Sequence, residues 1–289
     1  MVRPGVRRDA VAHLVTGYGV SERRACRVTG MWRSVNRYRS LRGLDGPLRE
    51  RLRAHAGTRR RWGYRRLHWL IKREGIEVGK TRLQRVYREE GLQVRKRRRR
   101  RSIAAPRVRM PAAAEPNAAW SMDFVHDAIA GSRRFRSLTI VDDFTKECLA
   151  IEVDTSLPGL RVARVLDRLL EERGKPRSIT VDNGPEFAGM VLDEWAHVHG
   201  VTLQFIRPGK PTENAYIESF NGRFRDECLN DEFFISLKDA DQTIQNWRHD
   251  YNHHRPHSAL GDLTPAEFAS RWKAADLAQP QVCLSTEVV

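Results

Sequence analysis

Apolar residues in the N-terminal third of the chain recur every three or four positions, which is the spacing of an amphipathic helix. Within residues 7–40 this pattern is broken by the Gly-Tyr-Gly of residues 17–19 and again at Gly30, and Ser21 stands where it can cap a helix. The pattern predicts helix, turn, helix, turn, helix. We assign residues 1–44 to this helix-turn-helix-like segment.

A second helical unit is predicted for residues 45–95. Pro47 can open its first helix, and the amphipathic segments 62–75 and 79–91 predict two more. Small helical units rich in exposed arginine match helix-turn-helix DNA readers, although helical hairpins of this size are also common in proteins that bind no DNA. The pattern alone therefore gives a modest preference for a second DNA-binding module.

Residues 96–118 form a basic run followed by a Pro- and Ala-rich stretch. Such a composition cannot bury a core and predicts a flexible or extended linker. Because the basic run lies between two modules, we expect it to follow a phosphate backbone. Its cationic residues are Lys96, Arg97, Arg98, Arg99, Arg100 and Arg101.

From Trp120 the pattern changes to short strand-like runs joined by loops short enough for hairpins. Three successive strands are followed by helix, strand, helix, strand and a long helix that begins near Thr212. This order predicts an α/β fold over residues 119–275, with an RNase-H-like mixed five-stranded sheet flanked by helices. Residues 276–289 are assigned to a C-terminal tail.

Charge is distributed very unevenly along the chain. Its formal net charge is +16, but residues 1–111 contain 33 Lys and Arg against eight Asp and Glu, a net charge of +25, whereas residues 112–289 have a net charge of −9. A basic arm of this size would repel itself without a partner and suits a polyanion, because each phosphate contact releases a condensed counterion. The charge therefore raises the preference for nucleic acid.

The sequence shows no feature of a membrane or secreted protein. No apolar run approaches the roughly 20 residues that span a bilayer, and the N-terminus lacks the apolar stretch of a secretory signal. We expect a cytoplasmic, nucleoid-associated protein with no membrane partner. The four cysteines are scattered without zinc spacing, which predicts reduced thiols that mostly fill the core.

Two aspartates and a glutamate are candidates for a metal site. Asp123 lies inside a core strand, where a carboxylate is costly unless a positive charge meets it, and Asp182 ends the fourth strand before a tight turn. Taken singly, each is better explained as a cap or a buried hydrogen-bonding group. Since α/β sheets present ligand-binding groups at the ends of adjacent strands, together they suggest a metal site.

Glu218 provides the third carboxylate. It lies at the edge of an apolar stripe on the last helix, and Arg225, two helical turns further on, falls on nearly the same face. Phosphodiester transfer uses two divalent ions, which carboxylates from two strands and a helix can hold. The other acids of this stretch are predicted to keep the helix soluble; they are Glu213, Asp226 and Glu227.

Two further groups of residues invite a metal-site interpretation that we do not favour. Asp142 and Asp143 end the second strand and are expected to have turn and hydrogen-bonding roles. The cluster His249–His257 does not have the spacing of a tetrahedral site; a place near a DNA groove or a helix end explains its His, Asn and Arg side chains better, and packing is the default expectation.

Four segments carry a resemblance to a known family: WSMDF, VDNGPEF, KPTENAYIESFNGRFRDECLN and YNHHRPHSALGDLTPAEF. They resemble the DDE recombinases, in particular bacterial insertion-sequence transposases with a retroviral-integrase-like catalytic domain. Asp182 and Glu218 are separated by 35 residues, as in that family's motif, and Arg225 fills its basic position. The N-terminal arm also resembles the catalytic, second-frame subunit of the insertion-sequence family numbered three.

The resemblance implies a transposase that cleaves element ends and joins the freed 3′-hydroxyl to target DNA. It assigns Asp123, Asp182 and Glu218 as catalytic, metal-binding residues that hold two Mg²⁺ ions, for which Mn²⁺ is expected to substitute. Lys210, Arg223 and Arg225 are expected to contact DNA. The implied partners are element ends and target DNA, further copies of the chain on that DNA, and an upstream DNA-binding product, either separate or fused by frameshift.

Two other classes of function stay open on the sequence. One is a DNA-binding regulator of transposition whose catalytic body is a relic, against which the intact triad argues. The other is an RNase-H-type nuclease, which would need no helical arm to read DNA. The joining of labelled element ends would distinguish the transposase from both.

Overall fold

The computed structural model describes residues 4–38, 45–94, 113–184, 186–207 and 214–278. The contacts divide the chain into two compact units, Met1–Glu50 and Arg51–Val289. The predicted basic run Lys96–Arg101, Lys210 and the predicted tail after residue 278 lie outside the described residues.

The first unit contains three short helices that pack around a small apolar core. They are α1 (Pro4–Tyr18), α2 (Glu22–Val28) and α3 (Arg33–Arg37). Ser21 caps α2 by accepting a hydrogen bond from the Arg24 backbone N–H at 3.4 Å, and Gly30 ends the following turn with a φ of 61°. The core consists of Val11, Ala25, Cys26 and Met31. The helices and breaks predicted from the sequence are confirmed here.

Three further helices occupy the region of the second predicted module. They are α4 (Gly46–Thr58), α5 (Tyr64–Arg73) and α6 (Lys80–Glu89). Helices α5 and α6 contact each other, and their buried apolar residues recur at helical spacing. We call residues 51–94, which belong to the second unit, the helical module. The three helices that the sequence predicts are present.

A five-stranded mixed sheet forms the centre of the second unit. Its strands are β1 (Ala119–Ala128), β2 (Arg134–Asp142), β3 (Cys148–Asp154), β4 (Ser178–Val181) and β5 (Thr202–Phe205). The strand order is β3-β2-β1-β4-β5; β1, β2 and β3 pair antiparallel, whereas β4 pairs parallel with both β1 and β5. This is the topology of an RNase-H-like sheet, as the element order predicts.

Helices cover both sides of this sheet. They are α7 (Gly159–Arg173), α8 (Met190–His199), α9 (Ala215–Phe224), α10 (Leu237–His253) and α11 (Pro265–Ala278). Helices α7 and α8 contribute to one apolar cluster with the sheet, and α9 and α10 contribute to a second. A π-helical turn, Arg225–Leu229, continues α9 and was not predicted. The sheet therefore holds α9 against β1 and β2.

The described helices and cysteines bear on what the sequence predicts about membrane spans and thiols. Among the helices that the structure describes, none combines the length and the apolar character needed to cross a bilayer. Cys26, Cys148 and Cys228 are buried and free, as the scattered cysteines predict, and Cys283 lies outside the described residues.

Candidate active site

The register of two parallel strands places the two candidate aspartates side by side. Ser121 of β1 is paired with Thr180 of β4, so continuing the register by two residues brings Asp182 level with Asp123. Neighbouring parallel strands in register project their side chains to the same side of a sheet. Both carboxylates therefore lie where β4 ends, beside the middle of β1.

Glu218 approaches this position from the helix that covers the sheet. The residues Ile217, Phe220 and Phe224 form a buried stripe on α9, as the sequence predicts, and fix the rotation of the helix. Glu218 lies at the edge of the stripe with an exposed side chain. The neighbouring protein removes part of the water around its carboxyl, and this partial desolvation raises the pKa above the ordinary value.

The negative charges of Asp182 and Glu218 act on Asp123. Burial, together with the negative charges of Asp182 and Glu218, raises the pKa of Asp123 to about 6, although hydrogen bonds from Phe124 and Asn221 oppose the rise. A carboxylate whose pKa is raised by two negative neighbours lies in a site that a cation would stabilise. Hard oxygen donors of this kind are the ligands that Mg²⁺ prefers.

The carboxylates of Asp123, Asp182 and Glu218 nevertheless do not form a compact metal-binding cluster in this structure. Across the described ranges, no three Asp, Glu, His or Cys side chains lie close enough to form a metal-binding cluster. The structure thus brings Asp123, Asp182 and Glu218 to one region of the sheet, with a chemistry that suits a divalent cation and a spacing wider than that of a closed site.

Asn221 is a site residue that our sequence reasoning missed. Its side chain is 7% exposed, its amide nitrogen donates to Asp123 Oδ2 at 2.8 Å, and its amide oxygen accepts from Thr139 Oγ1 at 2.9 Å. Asn221 thereby fixes the orientation of the Asp123 carboxylate. The sequence does contain a clue, because Asn221 lies four residues after Ile217 and occupies an apolar position of the α9 stripe.

The turn after β4 fixes Asp182. Its Oδ1 accepts a hydrogen bond from the Gly184 backbone N–H at 3.0 Å, and the neighbouring Asn183 donates to the Ile206 carbonyl at 2.9 Å. A Cβ atom at position 184 would lie only 2.9 Å from Asp182 Oδ1. A side chain at position 184 would therefore press on the Asp182 carboxylate.

We expect Gly184→Ala to displace the Asp182 carboxylate and lower strand joining by roughly 10- to 100-fold, since a shift of about 1 Å at a reacting centre costs on the order of 100-fold. The side chain can move, so the melting temperature should change little. Joining assays and thermal unfolding measure the two effects. Gly57→Ala, at a helical position with open space around it, is the matched control. Unchanged joining by Gly184→Ala would contradict the expectation.

Arg225 lies beside the same strand as Asp123. Its exposed guanidinium approaches the backbone carbonyl of His126 at 3.4 Å, three residues beyond Asp123 on β1. In the described part of the chain Arg225 forms no ion pair. The acids next to it in sequence, Asp226 and Glu227, pair with arginines of the helical module instead.

The prediction that Asp226 and Glu227 only keep the helix soluble is wrong. Asp226 forms an ion pair with Arg61, and the Glu227 side chain is only 8% exposed. Both acids lie in the π-helical turn and pair with arginines from outside it. Glu213, the third acid of that prediction, lies outside the described residues.

Arg223 lies at the end of α9 among buried residues of the C-terminal segment. Burial, with the charges of Arg255 and Arg223, lowers the pKa of His257 to about 2, so this histidine is neutral. Tyr251, Arg255 and His257 are all buried. The expectation that the His249–His257 segment packs at the end of the domain is confirmed for these three residues.

The two aspartates at the end of β2 have the roles in hydrogen bonding that we predicted. Asp142 accepts hydrogen bonds from the backbone N–H groups of Asn117, Phe144 and Thr145, which fixes the β2–β3 turn. Asp143 is buried and accepts from Ser121 Oγ at 2.8 Å.

Burial raises the pKa of Asp143 to about 7 from an ordinary 3.8; the Ser121 hydrogen bond and the Lys146 charge oppose the rise, and the Asp142 charge adds to it. The carboxyl therefore stabilises the fold below about pH 4, and this contribution is lost as the pH rises through about 7. In Asp143→Asn, the free energy of unfolding relative to wild type should increase by on the order of 2 kcal/mol between pH 5 and pH 8.

Urea unfolding at several pH values measures this difference. Asp193→Asn, at an exposed position of α8, is the control and should show no such trend. A difference between Asp143→Asn and wild type that does not vary with pH would contradict the expected titration.

Comparison with known families agrees with the fold. Residues 113–211 and 199–265 match two integrase core domain models, and residues 48–101 match an HTH-like domain model. A core of this class depends on divalent metal ions, in keeping with the carboxylate donors around Asp123.

The chain belongs to the integrase-core family of bacterial insertion-element proteins. It is 51% identical to the 31.7 kDa protein of insertion element IS407 from Burkholderia multivorans, over 88% of this chain and 92% of the relative. It is 45% identical to the 39.2 kDa protein of insertion element IS476 from Xanthomonas euvesicatoria, over 93% of this chain and 78% of the relative. A solved structure, the HTLV-2 integrase catalytic core domain in complex with magnesium, matches 54% of this chain and 99% of its own with 17% identity and a TM-score of 0.42.

Proposed function

We propose that this protein is a DDE-type transposase, which cleaves the ends of its insertion element and joins the freed 3′-hydroxyl to target DNA. The observation that carries the proposal is the placement of Asp123 and Asp182 side by side on adjacent strands, with Glu218 on the helix that covers them, in a chain of the integrase-core family.

Asp123, Asp182 and Glu218 are the residues that would hold two Mg²⁺ ions or, as a substitute, Mn²⁺. Bound there, the two ions would activate the attacking hydroxyl and stabilise the leaving oxygen of the phosphodiester. The chain itself supplies orientation: Asn221 holds the Asp123 carboxylate, and the Gly184 turn holds that of Asp182. Arg225, exposed beside β1, is available to bind a DNA phosphate.

A basic groove in the helical module is our candidate for a second DNA contact. The groove has a volume of about 760 Å³, and no acidic side chain lines it within the described residues. Its lining includes Arg65 and Arg88, and also Arg61 and Arg66, whose guanidinium groups pair with Asp226 and Glu227. Neither Arg65 nor Arg88 pairs with an acidic residue in the part of the chain that the structure describes. Val94, which lines the groove, lies two residues before the basic run Lys96–Arg101 in the sequence.

We expect neutralisation of residues 97–101 by Gln to flatten the salt dependence of DNA binding without changing which sequence is preferred. Phosphate contacts position a protein on DNA, whereas base contacts specify the sequence. Each lost phosphate contact should reduce the slope of log K against log salt by about 0.9. Fluorescence anisotropy with element-end and unrelated duplexes at several salt concentrations measures both properties. Loss of the preference for element ends would instead mean that this segment reads bases.

The experiment that tests the proposed function is a joining assay. The full chain is incubated with a labelled duplex of the element end, a target plasmid and Mg²⁺. Covalent joining of the label to the target supports the transposase, and binding without joining would favour a regulator with an inactive core. Non-specific cleavage without joining would favour a nuclease.

Because both element ends have to meet one target, we propose that several copies of the chain assemble on DNA.

A further inference from the structure

Glu227 is a buried carboxylate at the end of the helix that carries Glu218. It lies in the π-helical turn Arg225–Leu229, and its side chain is only 8% exposed. Its Oε2 accepts from Arg255 Nε at 2.9 Å, and its Oε1 accepts from Arg255 Nη2 at 2.6 Å and from Arg66 Nη1 at 2.9 Å. The Glu227 carboxylate thus accepts hydrogen bonds from two arginines, Arg66 and Arg255.

The two arginines come from distant parts of the chain. Arg66 belongs to α5 of the helical module, whereas Arg255 follows α10 and is 3% exposed on its side chain. Burial raises the pKa of Glu227, but the hydrogen bond and charge of Arg255 and the charge of Arg66 outweigh it, so the pKa lies below its ordinary value. Glu227 is therefore ionised and ties three segments together.

Neighbouring contacts make the same connection. The α4–α5 loop of the helical module contributes Arg59, Arg60 and Arg61, and each of them pairs with an acid of the integrase core. The acids are Asp250, Asp231 and Asp226, in that order. Trp62, from the same loop, is buried beneath the guanidinium groups of Arg59 and Arg66 at 5.0 Å and 6.0 Å from its ring centroid. The loop thus contacts the π-helical turn at Asp226, and it contacts the core at Asp231 just after the turn and at Asp250 on α10.

The turn is mechanically connected to the candidate active site. Glu227 lies two residues after Arg225 and nine residues after Glu218 on one continuous helical segment, a distance of about 13 Å along the axis. A shift of the turn would therefore move Arg225 and rotate α9 relative to β1. Removal of one partner from a buried ion pair leaves an uncompensated charge, so the turn would repack.

We propose that Glu227 is a positioning residue for strand transfer, which fixes α9, and with it Glu218 and Arg225, through its contacts with Arg66 and Arg255. This inference rests on the proposed function and adds a role for the helical module besides DNA binding. In this contact Arg66 of α5 binds a carboxylate of the same chain.

The test compares Glu227→Gln and Arg66→Gln with Arg73→Gln in the full chain. Arg73 lies on the same helix as Arg66 and also pairs with a core acid, but that acid is Glu267 of α11 and not a residue of the helical segment 215–229. Arg73→Gln is therefore a matched control for general docking of the helical module. Arg66→Lys, which keeps the charge, is the conservative variant.

Two measurements are made at a temperature well below the melting temperature of each variant. The first is the single-turnover rate of joining at saturating end DNA, together with the Kd for that DNA. The second is amide hydrogen exchange over residues 215–229, with the β1 and β4 peptides as an internal reference. Exchange does not depend on activity, so it tests the placement of α9 even if no joining is seen.

We expect Glu227→Gln and Arg66→Gln to lower the single-turnover rate by about 10-fold or more, since misplacement at a reacting centre by about 1 Å costs on the order of 100-fold. The Kd should stay within about twofold, and exchange over residues 215–229 should accelerate while β1 and β4 are unchanged. Arg66→Lys should recover part of the rate, and Arg73→Gln should resemble wild type.

Unchanged exchange over residues 215–229 in both variants would overturn the inference, as would an equal effect of Arg73→Gln. If Glu227→Gln does not fold, Arg66→Gln decides the question, because the Arg66 side chain is 33% exposed and tolerates the change more readily. Failure of the wild-type chain to join DNA would instead count against the proposed function, and the exchange measurement would still decide the placement of α9.

Discussion

Asp123→Asn, Asp182→Asn and Glu218→Gln are each expected to abolish strand cleavage and joining, with a loss of at least about 100-fold. Each change removes a charge that would hold a divalent ion while leaving the volume of the side chain nearly constant. Metal ions supply several kcal/mol of transition-state stabilisation, and every 1.36 kcal/mol is a factor of ten in rate. Binding of element-end DNA should be largely retained, because most of the positive charge lies elsewhere in the chain.

The measurement is a joining assay with labelled element ends, accompanied by a gel-shift assay for binding. Asp127→Asn, on the same strand as Asp123 but four residues further on, is the matched control and should join normally. Mg²⁺ should also raise the melting temperature of the wild type more than that of the three variants, because it binds the folded state. Near-normal joining by any one variant would remove that residue from the site.

Arg225→Ala is expected to lose most of the joining activity, by on the order of 100-fold, with little change in melting temperature. The exposed guanidinium lies beside β1, three residues along that strand from Asp123, and a phosphate bound there would help to fix the scissile bond in line with the attacking oxygen. Arg225→Lys should retain part of the activity, since it keeps the charge but loses the bidentate geometry of the guanidinium.

Single-turnover joining rates and thermal unfolding distinguish this role from that of a solvated side chain. Arg164→Ala, at an exposed position on α7 against the other face of the sheet, is the matched control. If Arg225→Ala joined DNA at the wild-type rate, Arg225 would have no role in joining and would be an ordinary solvated side chain.

Much of the architecture follows from patterns that are local in the chain. The Ser21 cap, the breaks around Gly30 and the stripe of Ile217, Phe220 and Phe224 are read correctly because periodicity and capping depend on residues within one or two turns. The order of strands and helices predicts the RNase-H-like sheet, since short connections leave few alternatives. The assignment of Asp123, Asp182 and Glu218 as a catalytic triad, suggested by their positions and by resemblance to a family, remains a prediction.

The sequence by itself determined the helices, the strands, their order and the face of α9 that packs on the sheet. The tertiary structure alone decided which charges are solvated and which are buried. Glu227 reads as a surface residue because its neighbours in sequence are polar, yet Arg66 and Arg255, at separations of 161 and 28 residues, bury it. Asn221 likewise gains its role from Asp123, at a separation of 98 residues. A charged or polar side chain is stable in the interior only when a partner reaches it, and no local pattern in a single sequence specifies a partner so far along the chain.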